Sequence, residues 1–123
     1  MRALYLKDET ENRTGTTKDR MAMVALPFLY ESGVRHFCTS STGNSSTGYA
    51  QAIGHIPEMR MELFTADDFK DRVHYAPTPQ VRHHVMKEPS FVDAGDFSTA
   101  YAEANGLVAE RGFFNLGRRE GLK

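Results

Sequence analysis

The spacing of hydrophobic positions changes along this chain, and the changes mark its elements. Arg2 to Lys7 mixes apolar and polar residues at near-alternate spacing, which predicts a short strand. Asp8 to Thr17 is polar and predicts a loop rich in side chains that cap helices. From Lys18 the spacing becomes helical, with Met21, Val24, Ala25, Phe28 and Leu29 as one apolar face. Pro27 interrupts that run and predicts a kink or an early break, and Ser32-Gly33 predicts the stop. His36 to Thr39 predicts a short buried strand. Ser40 to Gly48 is small and polar, which predicts a loop running into a helix start rather than a piece of core. That helix is expected over Tyr49 to Ile56, closing at Gly54 or Pro57.

Arg60 to Thr65 alternates and predicts a strand. Asp67 to Tyr75 predicts a helix capped by Asp67 or Asp68, with Pro77 and Pro79 breaking what precedes them. Val81 to Met86 reads as an edge strand or as a weak helix, and Ser90 to Asp93 as a strand end. Asp96 to Arg111 predicts a helix with a stripe of Phe97, Ala100, Tyr101, Ala104, Leu107 and Val108, stopped by Gly112. Strands alternating with helices predict one α/β domain over residues 1–123, a three-layer αβα arrangement around a mostly parallel sheet of about four strands. Ligands in such sheets bind beyond the C-terminal ends of the strands. The two polar loops, around Lys18 and around Asn44, are expected to converge there.

Composition narrows the class without naming a function. The chain has 123 residues, 40% hydrophobic and 25% charged, ordinary values for a globular domain. A net charge of −1, from 15 basic and 16 acidic residues, gives no footprint for nucleic acid or an anionic membrane. No apolar run has the length of a membrane span, and Met1 to Glu9 is too polar for a signal peptide. A single cysteine, Cys38, excludes an internal disulfide framework and fits a reducing, cytoplasmic location. His83-His84 predicts no metal site, because neighbouring side chains diverge and no Cys/His set completes one.

The chemistry sits in the two loops. A lysine in the first turn of a helix faces unpaired N–H groups and the positive dipole end, which favours its uncharged, nucleophilic amine. Such an amine suits Schiff-base formation with an aldehyde cofactor. Ser41-Thr42-Gly43-Asn44-Ser45 gathers N–H groups and hydroxyls at a helix start, a nest suited to a carboxylate or phosphate. Gly43 would let the backbone approach a ligand closely. Taken singly, Lys18 also reads as a solvated helix residue, and the serine-rich loop as a capping turn.

Taken together the loops resemble the fold-type II pyridoxal-phosphate enzymes, the group of threonine synthase, cysteine synthase and the tryptophan synthase β chain, with threonine synthase-like members nearest. In that family the cofactor-lysine segment reads Asn-Pro-Thr-Gly-Ser-Phe-Lys-Asp-Arg. Asn12, Thr14, Gly15, Lys18, Asp19 and Arg20 match it, while Arg13, Thr16 and Thr17 depart from it. The second segment reads Ser-Thr-Gly-Asn and a small hydroxyl residue, matched by Ser41, Thr42, Gly43, Asn44 and Ser45. Arg60 to Phe64, Asp96 to Ala100 and Arg118 to Lys123 resemble later segments.

The resemblance implies pyridoxal 5'-phosphate as cofactor and a lyase or synthase acting on an amino acid by β- or γ-elimination or replacement. It implies that Lys18 forms the internal aldimine and shuttles the α-proton. Asn44 is then the partner of the cofactor's ring hydroxyl, and Ser41, Thr42, Gly43 and Ser45 hold the substrate carboxylate. Family members have two domains and carry a glycine-rich phosphate cup in the second half. The resemblance therefore implies that this chain is part of a larger enzyme, its site completed by a C-terminal domain or a second chain, in a homo-oligomer. The rival expectations are a non-catalytic α/β module that binds an anionic metabolite and an inactive truncated remnant.

Overall fold

A computed structural model describes residues 3–87 and 91–110. Its elements are α1 (Lys18–Glu31), β1 (His36–Ser40), α2 (Asn44–Ala52), β2 (Arg60–Ala66), β3 (Val81–Met86), α3 (Phe91–Asn105) and β4 (Val108–Glu110). A 3-10 turn at Ile53–His55 extends α2, and another at Asp67–Arg72 follows β2. The four strands form one parallel sheet in the order β3-β2-β1-β4. Helices cover both faces, so the expected three-layer α/β architecture is the observed one.

The register decides what each face holds. Phe37, Met61 and Leu63 turn towards α1 and α2, where they pack with Leu26, Leu29, Tyr49 and Ile53. Cys38 and Phe64 turn the other way, towards Ala102 and Tyr101 of α3. Because β3 and β4 are opposite edges, α3 runs beneath β2 and β1 to connect them. Glu62 shares the α3 face and is buried. Its carboxylate accepts from His84 Nε2 at 2.6 Å and from His36 Nε2 at 2.9 Å, with Arg82 at 3.7 Å. His83, one residue on, faces the opposite side and meets Thr65 Oγ1 at 3.0 Å. Among the described residues no helix is long and apolar enough to cross a membrane.

Several expectations are corrected. Residues 3–8 form no strand, and Leu4, Tyr5 and Leu6 are exposed. The fourth strand is instead β4, because α3 ends at Gly106 (φ 64°), where Leu107 N–H closes on Ala102 O. Leu107 and Val108 therefore leave the helix, and Val108 joins the sheet beside Phe37. The stop expected at Gly112 and the segment Arg118 to Lys123 lie outside the described residues. At the other end α3 begins at Phe91, so residues 91–93 are helical rather than a strand end. Its buried positions are Ala94, Ser98 and Ala102, whereas Phe97 is 55% exposed.

In α1 the helix runs through Pro27 to Glu31 without a break. Its buried face is Ala22, Ala25, Leu26 and Leu29, rotated from the predicted one, leaving Val24 and Phe28 exposed. Alanines are favoured on that face because α2 packs against it closely. The helix expected over Asp67 to Tyr75 is only the 3-10 turn ending at Arg72. Val81 to Met86, left open between two readings, is the edge strand β3.

Candidate functional site

The polar loop before α1 is held together by the residues around the lysine rather than by a core. Thr14 N–H donates to Asp19 Oδ2 at 2.8 Å, and the Thr14 hydroxyl donates to the other oxygen of that carboxylate. Asn12 Nδ2 donates to Thr16 O at 2.8 Å, and Arg20 Nε to Glu9 at 2.8 Å. Lys18 N–H donates to Thr16 Oγ1 at 3.1 Å, which occupies one of the open donors of the first helical turn. Lys18 itself is half-buried, and its amine has no hydrogen-bond or ion-pair partner among the described residues. Thus Asn12, Thr14, Asp19 and Arg20 position a loop that presents Lys18.

The second loop is organised by Ser41. It is buried, and its Oγ accepts from Gly43 N–H at 3.0 Å and Ser46 N–H at 3.3 Å. Ser46 Oγ donates back to Gly43 O at 2.9 Å. These local bonds pull five residues of the supposed loop into the helix, so α2 begins at Asn44 rather than Tyr49. They also explain why small polar residues are buried here: Ser46 and Thr47 are among the least exposed side chains in the chain. The Gly43 N–H of the expected nest therefore points at Ser41 instead of outward, as does the neighbouring Ser46 N–H. Asn44 is exposed, Thr42 and Ser45 are half-buried, and none of the three has a side-chain bond among the described residues.

Two glycines place the loops. Gly48 of α2 lies against the start of α1; a Cβ there would sit 3.0 Å from Lys18 O and 3.2 Å from its carbonyl carbon. The start of α1 meets the middle of α2 through this glycine, and this contact brings the lysine loop beside the Asn44 loop. Gly43 has φ +141°, and its Cβ position is 2.8 Å from Arg72 Cβ. Gly43 thus allows the close approach of the segment after β2. Thr47 fixes the same segment, its hydroxyl donating to Arg72 O at 3.4 Å and accepting from His74 N–H at 3.2 Å.

Between these pieces lies a cleft of about 240 Å3. Asn44, Thr47 and Gln51 form its helical wall and Thr14 and Thr16 a second wall. Arg13, Arg72 and His74 line the rest, while Lys18, Ser41, Thr42, Gly43 and Ser45 do not. Of the predicted site residues, then, Asn44 alone opens on this cleft. Gly48, Arg72, His74 and Gln51 were not foreseen as site residues, because only the tertiary fold carries Arg72 and His74 to α2. Cys38 lies fully buried in β1, where burial and the Glu62 carboxylate push its thiol up to about 11. It is a core residue and not a nucleophile.

No family model matches the chain, and no curated protein matches it in sequence. Its fold is similar to that of several solved enzymes. Diaminopropionate ammonia lyase of Escherichia coli, in apo form, is 14% identical with a TM-score of 0.64, over 84% of this chain and 33% of that one. O-ureido-L-serine synthase is 15% identical with a TM-score of 0.64, over 84% and 34%. A pyridoxal 5'-phosphate-dependent aspartate racemase is 19% identical with a TM-score of 0.67, over 86% and 32%. The ammonia lyase is also known in complex with an aminoacrylate–pyridoxal-phosphate azomethine intermediate. At these identities the likeness is one of fold, and the chain spans about a third of the length of the structures it matches.

Proposed function

We propose that this chain is the lysine-bearing domain of a pyridoxal-phosphate-dependent enzyme that acts on an amino acid. The observation that carries the reading is Lys18 in the first turn of α1, its amine without a partner among the described residues and its backbone packed on α2 at Gly48. The fold neighbours support the same cofactor class. The residues present fit one side of such a site: a free amine, an exposed amide at Asn44 and two half-buried hydroxyls at Thr42 and Ser45. When bound, pyridoxal 5'-phosphate supplies an electron sink for the charge left at the substrate Cα.

The chain's own residues divide the remaining work. Lys18 Nζ would hold the cofactor, and its amine would take and return the proton at the substrate Cα. Asn44 offers its amide to the cofactor's ring hydroxyl. Thr42 and Ser45 offer hydroxyl donors to the substrate carboxylate, while Ser41, its oxygen already accepting twice, has only its hydroxyl proton to give. The finer reading, from the two matched segments, is a threonine synthase-like elimination or replacement. A further domain or second chain supplies the rest of the cofactor pocket.

The test is borohydride reduction of the chain with pyridoxal phosphate, followed by peptide mass mapping. Stoichiometric labelling confined to Lys18, and lost in Lys18→Ala, is the expected result. Labelling spread over the other lysines, or unchanged in total by Lys18→Ala, would sink the proposal.

A further inference from the structure

The charges around the cleft are unbalanced. Arg13 and Arg72 contribute two positive charges, and no carboxylate lies among its lining residues. Neither guanidinium has a carboxylate partner among the described residues; Arg72 instead faces the Phe69 ring at 5.0 Å. Asp19 lines an adjoining cavity with Arg13, but both its oxygens are bonded to Thr14. Three further side chains on the cleft, Asn44, Gln51 and His74, carry donors and have no side-chain partner among the described residues. Five donor-bearing side chains thus line one space, and neither arginine among them is paired with a carboxylate. An anion offers such guanidinium groups charge-assisted hydrogen bonds, stronger than those of a neutral acceptor.

The geometry points to a small-anion site in this cleft: Arg13 and Arg72 bind a phosphate or carboxylate group, with Gln51 and His74 as further donors. At about 240 Å3 it takes a fragment-sized organic acid or phosphate ester, below the roughly 300–1,000 Å3 of sites for larger ligands. Lys18 does not line the cleft, so the anion is assigned to Arg13 and Arg72 and not to the lysine. Arg13 comes from the loop before α1 and Arg72 from the segment after β2, so a bound anion also ties these two segments to α2. The cleft and its charge exist whether or not Lys18 carries a cofactor.

The test is a titration of the full chain with inorganic phosphate and with succinate, followed by amide chemical shifts at constant ionic strength. Saturating shifts grouped at Thr14, Asn44, Thr47 and His74 are expected. Arg13→Gln and Arg72→Gln should each weaken binding about tenfold, the loss of one charge-assisted contact. Both arginines are exposed, so unchanged melting of the variants shows that the fold is intact. Lys18→Ala should leave the titration unchanged, which separates this site from the cofactor reading. Non-saturating shifts, shifts centred on other arginines, or a double variant that binds as the parent does would overturn the inference. So would loss of phosphate binding after borohydride attachment of pyridoxal phosphate at Lys18, because the cleft would then hold the cofactor's own phosphate.

Discussion

Gly43→Ala tests the junction on which the candidate site depends. Gly43 has φ +141°, where a residue with a Cβ is strained, a cost of about 1–3 kcal/mol. The new methyl would also stand 2.8 Å from Arg72 Cβ and 3.0 Å from Arg72 O. One of those atoms is backbone, held by Thr47, so the neighbour yields little. Overpacking of this kind costs about 1–3 kcal/mol. Partial relaxation brings the expected loss to about 3 kcal/mol, a shift of the urea midpoint by about 1–2 M at an ordinary slope. Equilibrium urea unfolding of the parent and variant measures it. Repeating the substitution in an Arg72→Gly background separates the two costs. Removing Arg72 Cβ abolishes the contact at 2.8 Å but leaves the positive φ and the carbonyl. The cost of Gly43→Ala should therefore fall by about 1 kcal/mol, read as a coupling energy. A Gly43→Ala chain within about 0.5 kcal/mol of the parent, the usual range for uninvolved surface positions, would refute the geometry assigned to this loop.

Two further outcomes follow from contacts elsewhere. Burial alone would raise the Glu62 carboxyl, but bonds from His84 and His36 and the nearby Arg82 charge outweigh it and hold the group below its usual range. Its stabilisation is therefore fully present above the unfolded carboxylate value of about 4.3 and is lost as pH falls through the folded value. Glu62→Gln should cost about 1–2 kcal/mol at neutral pH and flatten the acid limb of stability against pH; an unchanged limb would contradict the assignment. Gly48→Ala gains about 1 kcal/mol of helix propensity but presses on the Lys18 carbonyl at 3.0 Å. Stability should change by no more than about 1–2 kcal/mol, while pyridoxal-phosphate labelling at Lys18 slows relative to the other lysines; equal labelling rates would refute the positioning role.

How far the sequence revealed this molecule depended on whether local or distant atoms set each feature. β1 and β2 were legible to within a residue, because short apolar runs between turn residues have few alternatives. Ser32-Gly33 was legible as a helix stop, since Gly33 takes φ +87° and its N–H closes on Tyr30 O. Pro27 misled because it sits on the exposed side of α1, while packing of Ala22, Ala25 and Leu26 on the core holds the helix together despite the lost donor and the crowding of the ring on the preceding turn. The stripe in α1 misled for a related reason: large side chains were weighted as core, but contact with α2 selects small ones. Leu4 and Leu6 read as strand positions, yet an edge needs a neighbour, and β4 rather than the N-terminal segment stands beside β1. Glu62 read as an ordinary polar position in a strand; His36 and His84 reach it only because β1 and β3 flank β2.

The candidate site divides along the same line. The neighbourhoods of Lys18 and Asn44 could be singled out because their bonds are local, within Asn12 to Arg20 and Ser41 to Ser46. Arg72 and His74 could not be, since nothing in Asp71-Arg72-Val73-His74 indicates a site. They reach α2 because the segment after β2 is a 3-10 turn with an extended tail instead of a helix. A full helix there would give Arg72 and His74 different directions, and Thr47 could not bond to both residues' backbones. The replacement of that helix by a short turn is what places Arg72 on Gly43 and beside Asn44. A local departure in secondary structure, invisible to hydrophobic spacing, thus shapes the charge of the cleft.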